Sequence, residues 1–546
     1  MTTENPTRTQ APSQRGPGSR GDALTSTARG GVANLLGAGL AGIAGLGVTW
    51  LVARGLGAEQ AGSFFAATAA FTLVGGVARL GTVTGLVYWP ARLRALSTPE
   101  LIGACLRVSL PPVFLAGLVL TLATYRMAPV LTPEYAEPLR ALAFFLPLAA
   151  LADALLAATR GYRRMRPTVL LEKITRPTLQ LLLLASAFLV GAPVVLWAIA
   201  WAAPYLPVCA AAGYLLWRLT RRPSPRPRSL RSLAAALRAR SLGAGSSFSA
   251  GSSFSAGSGF PVESWPKIRP GTGIQRQDGT GMGWRFWRFT APRALANVAQ
   301  TALQRIDVLL VAALAGLAPA AAYSVAGRFV VVGQLANGAI SQAVQPRLAE
   351  ALAVGDLPTA RRLYQTATGW LILTSWPLHL TVLQYAGDYL GLFGAHYRQA
   401  VPVVRVLALA MLLATGCGMV DMVLAMGGRT VWNLVNVLAA LTAMVAVDLL
   451  LIPALGIAGA ALGLACAVAV NNLLPLAQIV VTMRLHPFGG DTLAAALLTS
   501  VSFGAVPAAL HASPPWLAIG AGAVAYLLGV VLLRRRLPLT PLSRRV

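Results

Sequence analysis

The chain has 546 residues, of which 56% are hydrophobic and only 11% charged, with a mean hydropathy of +0.65. A soluble domain is about 45–50% apolar and roughly 25% charged, so the composition excludes an ordinary water-soluble protein and indicates a polytopic membrane protein. The formal net charge of +28, from 45 Lys+Arg against 17 Asp+Glu, would suggest nucleic acid in a soluble chain, but the bases lie between apolar segments and no nucleic-acid partner is expected.

The first 30 residues are polar, basic and rich in Pro, Ser and Thr, without a signal-peptide core of their own. They read as a disordered tail ahead of a retained first helix. A spanning helix needs about 20 mostly apolar residues. Segments of that kind occur at 31–53, 63–89, 103–124, 139–159, 169–190, 193–217, 291–315, 322–346, 363–385, 401–426, 430–452, 457–483, 492–512 and 515–533. They predict an all-α integral membrane protein of about fourteen transmembrane helices.

The loops alternate in charge. Bases mark the tail (Arg8, Arg15, Arg20, Arg29), the second–third loop (Arg92, Arg94) and the fourth–fifth loop, TRGYRRMRP. They recur at Arg347, Arg361, Arg362, Arg429, Arg484 and the run 534–536, while the intervening loops GAP, GLAP, PALG and ASPP carry none. By the positive-inside rule both termini are expected in the cytoplasm. Residues 218–290 differ in kind. They contain a tandem GSSFSA repeat, which reads as flexible linker. Within them, RSLRSLAAALRARSL has the composition of a basic amphipathic helix lying on anionic lipid.

An internal repeat organises the rest. ANLLGAG…WLVARGLGAEQAGSF from Ala33 matches ANVAQTA…LVAALAGLAPAAAYSV from Ala296, with Ser63 opposite Ser324. Both copies start from the same side, so the repeat is parallel. The expected organisation is a six-helix lobe over 31–217, the linker 218–290, a second six-helix lobe over 291–483, a helix pair over 484–533 and a basic tail 534–546. The two lobes would face each other across a central cavity in parallel pseudo-two-fold arrangement.

The seventh segment carries charge. Arg293, Asn297, Gln300, Gln304 and Asp307 are spaced 4, 3, 4, 3, which places them on one helical face, with Arg305 about 100° round from Gln304. In the eighth, Gln334, Asn337, Ser341 and Gln345 are spaced 3, 4, 4. Asp421, Asn433, Asn436 and Asp448 add polar groups later, and Arg79, Arg107, Asp153 and Arg176 are the conspicuous charges of the first half. A charge at the bilayer centre costs roughly 2.5–3.5 kcal/mol on insertion scales, so such stripes should avoid lipid. For the Asn and Gln residues, gluing helices together by hydrogen bonds is as good a reading as lining a cavity. Arg79, Arg305 and Asp307 are read as cavity groups. Arg107, Arg176 and Arg328, nearer the expected helix ends, are read as snorkelling outward. Cys105, Cys209, Cys417 and Cys466 sit singly in apolar stretches and read as small packing residues.

The motifs VARGLGAEQAGSFFAATAAF and QRIDVLLVAALAGLAPAAAYSVAGRF resemble the first-helix junction and the seventh helix of polysaccharide export flippases. Those proteins belong to the multidrug/oligosaccharidyl-lipid/polysaccharide exporter superfamily, and the resemblance covers roughly 30–220 and 285–485. It implies a transporter of the bacterial cytoplasmic membrane that flips a polyprenyl-diphosphate-linked oligosaccharide by alternating access, for cell-surface polysaccharide synthesis. It also implies a basic cavity that receives the diphosphate, with Arg79 and Arg305 as candidates by position and Asp307 at a frequent acidic position. The implied partners are the lipid-linked substrate, membrane lipids and a polysaccharide polymerase or glycosyltransferases. No cofactor is implied, with H+ or Na+ coupling left open. The candidate cavity set is Arg79, Arg305, Asp307, Asn297, Gln300, Gln304, Gln334 and Asn337. A cation-coupled multidrug antiporter and a lipid II flippase are the alternatives within the superfamily. An enzyme is disfavoured, because His379, His396, His486 and His511 are scattered without ligand spacing. An inactive scaffold is the last alternative.

Overall fold

The structure, a computed structural model, describes residues 37, 39–95, 101–162, 166–221, 280–534 and 536–537. The expected N-terminal tail, the GSSFSA repeat, the RSLRSLAAALRARSL stretch and most of the C-terminal tail lie outside them. Among the described residues there is helix and turn but no strand. A helix satisfies its backbone hydrogen bonds within one segment, which is the condition for crossing hydrocarbon. Among the described residues, eight helices are long and apolar enough to cross a membrane, or ten if each of two bent pairs is one span. The chain is therefore a multi-pass membrane protein, with fewer spans by this measure than the fourteen expected. The shortfall arises because several expected spans are short or broken.

In the first lobe, α1 (Gly39–Gly55) and α2 (Ala58–Ala78) lead to α3 (Thr82–Ala95) and α4 (Leu101–Leu131). They are followed by α5 (Ala136–Ala143), α6 (Leu146–Gly161), α7 (Arg176–Leu189), α8 (Val194–Ala202) and α9 (Tyr205–Arg221). The expected span 63–89 is interrupted at Arg79–Gly81, where Leu80 has φ 48° and Gly81 φ 69°. Such backbone suits glycine and is uncommon for leucine. The span at 139–159 bends by 52° between α5 and α6. The fifth is entered through a π-helical turn, Thr168–Thr175.

In the second lobe, α10 (Thr280–Leu303) starts inside what reads from sequence as linker, and α11 (Ile306–Ala315) continues it after a 47° bend. Then come α12 (Leu317–Ala326), α13 (Arg328–Ala353), α14 (Leu357–Gln384), the short α15 (Ala386–Gly391), α16 (Val401–Cys417), α17 (Val420–Met426), α18 (Thr430–Leu455) and α19 (Ile457–Met483). The last helices, α20 (Gly490–Ser500), α21 (Val506–Ala509) and α22 (Pro515–Leu532), dock on α14. A π-helical turn at Val501–Ala505 separates α20 from α21, and Gln384 of α14 donates to the Phe503 and Gly504 carbonyls at 2.8 Å. Tyr526 of α22 donates to Leu373 at 3.0 Å.

One apolar core runs through both lobes, from Val48 of α1 to Ala461 of α19. The α2–α3 segment touches the second lobe at each of its ends. At one end, called distal here, a Cβ on Gly62 would run into the Leu317 carbonyl oxygen, so α2 and α12 cross almost backbone to backbone. The Leu392 carbonyl there accepts from Trp50 Nε1 at 3.0 Å and Arg54 Nη2 at 3.1 Å. At the proximal end, a Cβ on Gly81 would stand 2.7 Å from the Ala294 nitrogen, and Tyr88 stacks on Phe289 with centroids 4.2 Å apart.

Gly62→Ala should therefore force the lobes apart at the distal end and destabilise the fold by about 1–3 kcal/mol. Gly103→Ala, with nothing within 4 Å of the new methyl, should not lower stability. Thermal unfolding of both variants in detergent checks this; equal melting temperatures would refute the close crossing.

Candidate functional site

Between the lobes lies a cavity of about 670 Å³. The first lobe offers it an apolar and aromatic wall, with Phe64, Phe65 and Trp201 beside Thr68 and Thr72. The second lobe offers nearly all the polar groups.

The break in the seventh segment decides where those groups point. Gln304 and Arg305 donate their backbone N–H to Thr301 and Ala302 carbonyls, three residues back, at 3.2 and 3.0 Å. The turn tightens, Arg305 takes φ −137° and the helix restarts at Ile306. The single-face stripe expected from the 4, 3, 4, 3 spacing therefore stops at Gln304. Asp307 begins a new helix, in its first turn, where a carboxylate complements the helix dipole. Its Oδ1 accepts the Val308 N–H at 2.8 Å and its Oδ2 accepts the Tyr323 hydroxyl at 2.8 Å. Asp307 is buried, while Arg305 is partly buried with Nε unpartnered.

Of the eight sequence candidates, Arg305, Asp307, Gln300, Gln304, Gln334 and Asn337 line this cavity. Arg79 and Asn297 are not among its lining residues. Arg79 instead pairs with Asp153 of α6 at 3.3 Å and donates through Nε to the Gly75 carbonyl at 3.2 Å. Asn297, a turn before Thr301 on α10, is exposed. Arg176, expected to snorkel, lies over the Tyr205 ring, 5.1 Å from its centroid. The expectation of helix glue holds for Asn436, which exchanges both amide hydrogen bonds with Gln478 at 2.8 and 2.9 Å.

Several lining residues were not singled out from sequence as cavity groups. Arg328 was expected near a helix end, but the eighth segment starts at Leu317, not 322, which carries Arg328 a turn and a half deeper. There its Nε donates to Thr49 of α1 across the lobe boundary. His379, fully buried, packs against Gly333 and Phe329. Asn471 and Asn472 line the cavity from α19. A contiguous Asn-Asn pair inside an apolar run was the signal for these two. Behind the cavity, Asp448 of α18 is fully buried with neither carboxylate oxygen partnered, packed against Gly463 and within electrostatic reach of Asp307.

The polar groups fall into two layers. Arg305, Asp307, Tyr323 and Arg328 form a distal layer. Gln334, Asn337, Asp421 and Asn471 form a proximal one. Arg328 and Asn337 are nine residues apart on one unbroken helix, a rise of about 13 Å.

Residues 292–451 match the MatE family model. No curated protein matches the chain in sequence. Among solved structures, the lipid II flippase MurJ in an inward closed conformation superposes with a TM-score of 0.66, at 10% identity over 92% of this chain and 99% of that one. An inward-facing multidrug resistance MATE transporter of the MOP superfamily gives 0.59 at 15% identity, covering 83% and 99%. A MOP-superfamily transporter from Pyrococcus furiosus, described as having a binding pocket of reverse polarity, gives 0.53 at 15% identity, covering 83% and 94%. The chain thus has the all-helical fold of these membrane transporters.

Tyr323→Phe removes the donor to a buried carboxylate and should cost about 1.5–3 kcal/mol of stability, read by thermal or denaturant unfolding. A change below about 0.5 kcal/mol, the size expected of an uninvolved surface site, would show that Asp307 does not depend on Tyr323.

Proposed function

We propose that the protein is a transporter that flips a polyprenyl-diphosphate-linked oligosaccharide across the bacterial cytoplasmic membrane by alternating access, both termini lying in the cytoplasm. The observation that carries this reading is the pair Arg305 and Arg328 at one level of the inter-lobe cavity, beside Asp307, whose carboxylate is already engaged by Tyr323 and the Val308 N–H, while the other lining carboxylate, Asp421, sits at the other level. Guanidinium forks match phosphate oxygens, and the level of the cavity that holds both arginines suits a diphosphate better than a cationic drug. Amides at Gln300, Gln304, Gln334 and Asn337 both donate to and accept from hydroxyls, as a glycan requires. A polyprenyl tail would stay in lipid, so only the head group has to fit.

The lipid II flippase reading stays close, favoured by the extent of the superposition on MurJ. The two differ in the sugar, not in the phosphate chemistry. An ion-coupled antiporter has one specific observation behind it: Asp307 and the unpartnered Asp448 are acidic groups that a proton or Na+ would neutralise. In our reading they serve coupling, not substrate recognition.

Proteoliposomes carrying a fluorescent polyprenyl-diphosphate sugar test this. Arg305→Ala and Arg328→Ala should each slow flipping by about tenfold or more while the protein remains folded. Unchanged rates in both would overturn the phosphate role, and dye efflux without lipid flipping would favour the antiporter. Arg79→Ala should act differently. It leaves Asp153 without its cation, so it should lower the melting temperature, and adding Asp153→Asn should restore part of the loss. A double variant as unstable as the single one would deny the ion pair a structural role.

A further inference from the structure

We propose that the proximal layer of the cavity is a glycan subsite that selects a head sugar without negative charge, one bearing hydroxyl, acetamido or amino groups. The inference rests on the lipid-linked substrate of the preceding reading and adds which sugars it takes.

Three observations carry it. First, Gln334 and Asn337 lie about 9 and 13 Å along α13 from Arg328. That is farther than a diphosphate reaches, and within reach of a sugar joined to it. Second, its polar groups are amides from two helices, Gln334 and Asn337 of α13 and Asn471 and Asn472 of α19. The Asn471 carbonyl oxygen is buried without a partner, which is costly unless a ligand donor or water meets it. Third, among the described residues the charged group lining this layer is Asp421 of α17. Its backbone carbonyl accepts from Asn433 at 3.0 Å, which fixes α17, yet its carboxylate makes no ion pair or hydrogen bond among the described residues. Arg305 and Arg328 belong to the other layer. A carboxylate accepts from sugar hydroxyls, amides or ammonium groups. A uronate placed opposite it would meet an uncompensated like charge, and such repulsion is how a site rejects a competitor of the same shape.

The test uses the full chain in proteoliposomes with three fluorescent polyprenyl-diphosphate probes. Their head sugars are an N-acetylhexosamine, a hexosamine and a hexuronate. The native chain should move the hexuronate at least about tenfold more slowly than the other two. Asp421→Asn should shrink that ratio to below about threefold, and Asn471→Asp, which adds a second carboxylate, should widen it. A folding defect slows all three probes together and leaves the ratio alone, so the ratio is the readout. Equal rates for the three probes, or an unchanged ratio in Asp421→Asn, would overturn the subsite while leaving a diphosphate-lipid transporter intact. Background rates for all three probes by folded protein would overturn both.

Discussion

A charged or hydrogen-bonding group inside hydrocarbon has to meet a partner or water, and the rest of this structure is arranged around that requirement. Most such groups are met locally. Threonines hand their hydroxyls back to their own helices, as Thr72 does to Thr68 and Thr415 to Met411. Arg79 is met by Asp153, Asp307 by Tyr323 and a backbone N–H, and Arg328 by Thr49. Among the described residues, several of the buried groups left without a partner lie along or just behind the space between the lobes: Arg305 Nε, Ser324, His379, Asn471 Oδ1 and Asp448, with the Asp421 carboxylate facing the same space. Their lack of partners is what makes that space a site.

Helix breaks do the aiming. A straight seventh helix would have kept Asp307 in register with Gln300 and Gln304. The turn at Gln304–Arg305 instead gives Asp307 a helix N-terminus and turns it toward Tyr323. The break at Arg79–Gly81 presses α3 against α10, while the other end of α2 crosses α12 at Gly62. The same segment thus closes on the second lobe at both ends of the cavity. A motion that opens one end has to loosen contacts made by α2 and α3, which suits a protein that exposes one cavity to two sides in turn.

Identity of 10–15% with structures that superpose over most of the chain fits a fold specified by apolar pattern and close helix packing. The same relation says little about cargo, because function lies in the handful of cavity groups. Here those groups are sorted by lobe: an aromatic wall from the first, charges and amides from the second. They are also graded by depth, with Arg305 and Arg328 at one level and Gln334, Asn337 and Asn471 with Asp421 at the other. Such grading is the basis of the phosphate-and-sugar substrate proposed above.

The sequence by itself determined that the chain is helical and crosses the membrane many times, because runs of apolar residues about 20 long admit little else. It also showed the two-lobe repeat, since Ala33 and Ala296 begin similar segments. It pointed to Arg305, Asp307 and the Gln and Asn stripes, because polar groups in such runs stand out against the apolar background. It did not separate Arg79 from Arg305, for both are single arginines among apolar residues, and only packing reveals that Asp153 already holds one of them. Nor did it show Arg328 as a cavity group. A residue's depth depends on where its helix starts and breaks, and those points are set by contacts with helices distant in the chain. The two layers of the cavity, and Asp421 standing alone in one of them, exist only once α13, α17 and α19 are brought together, because no periodicity within one helix records what faces it from another.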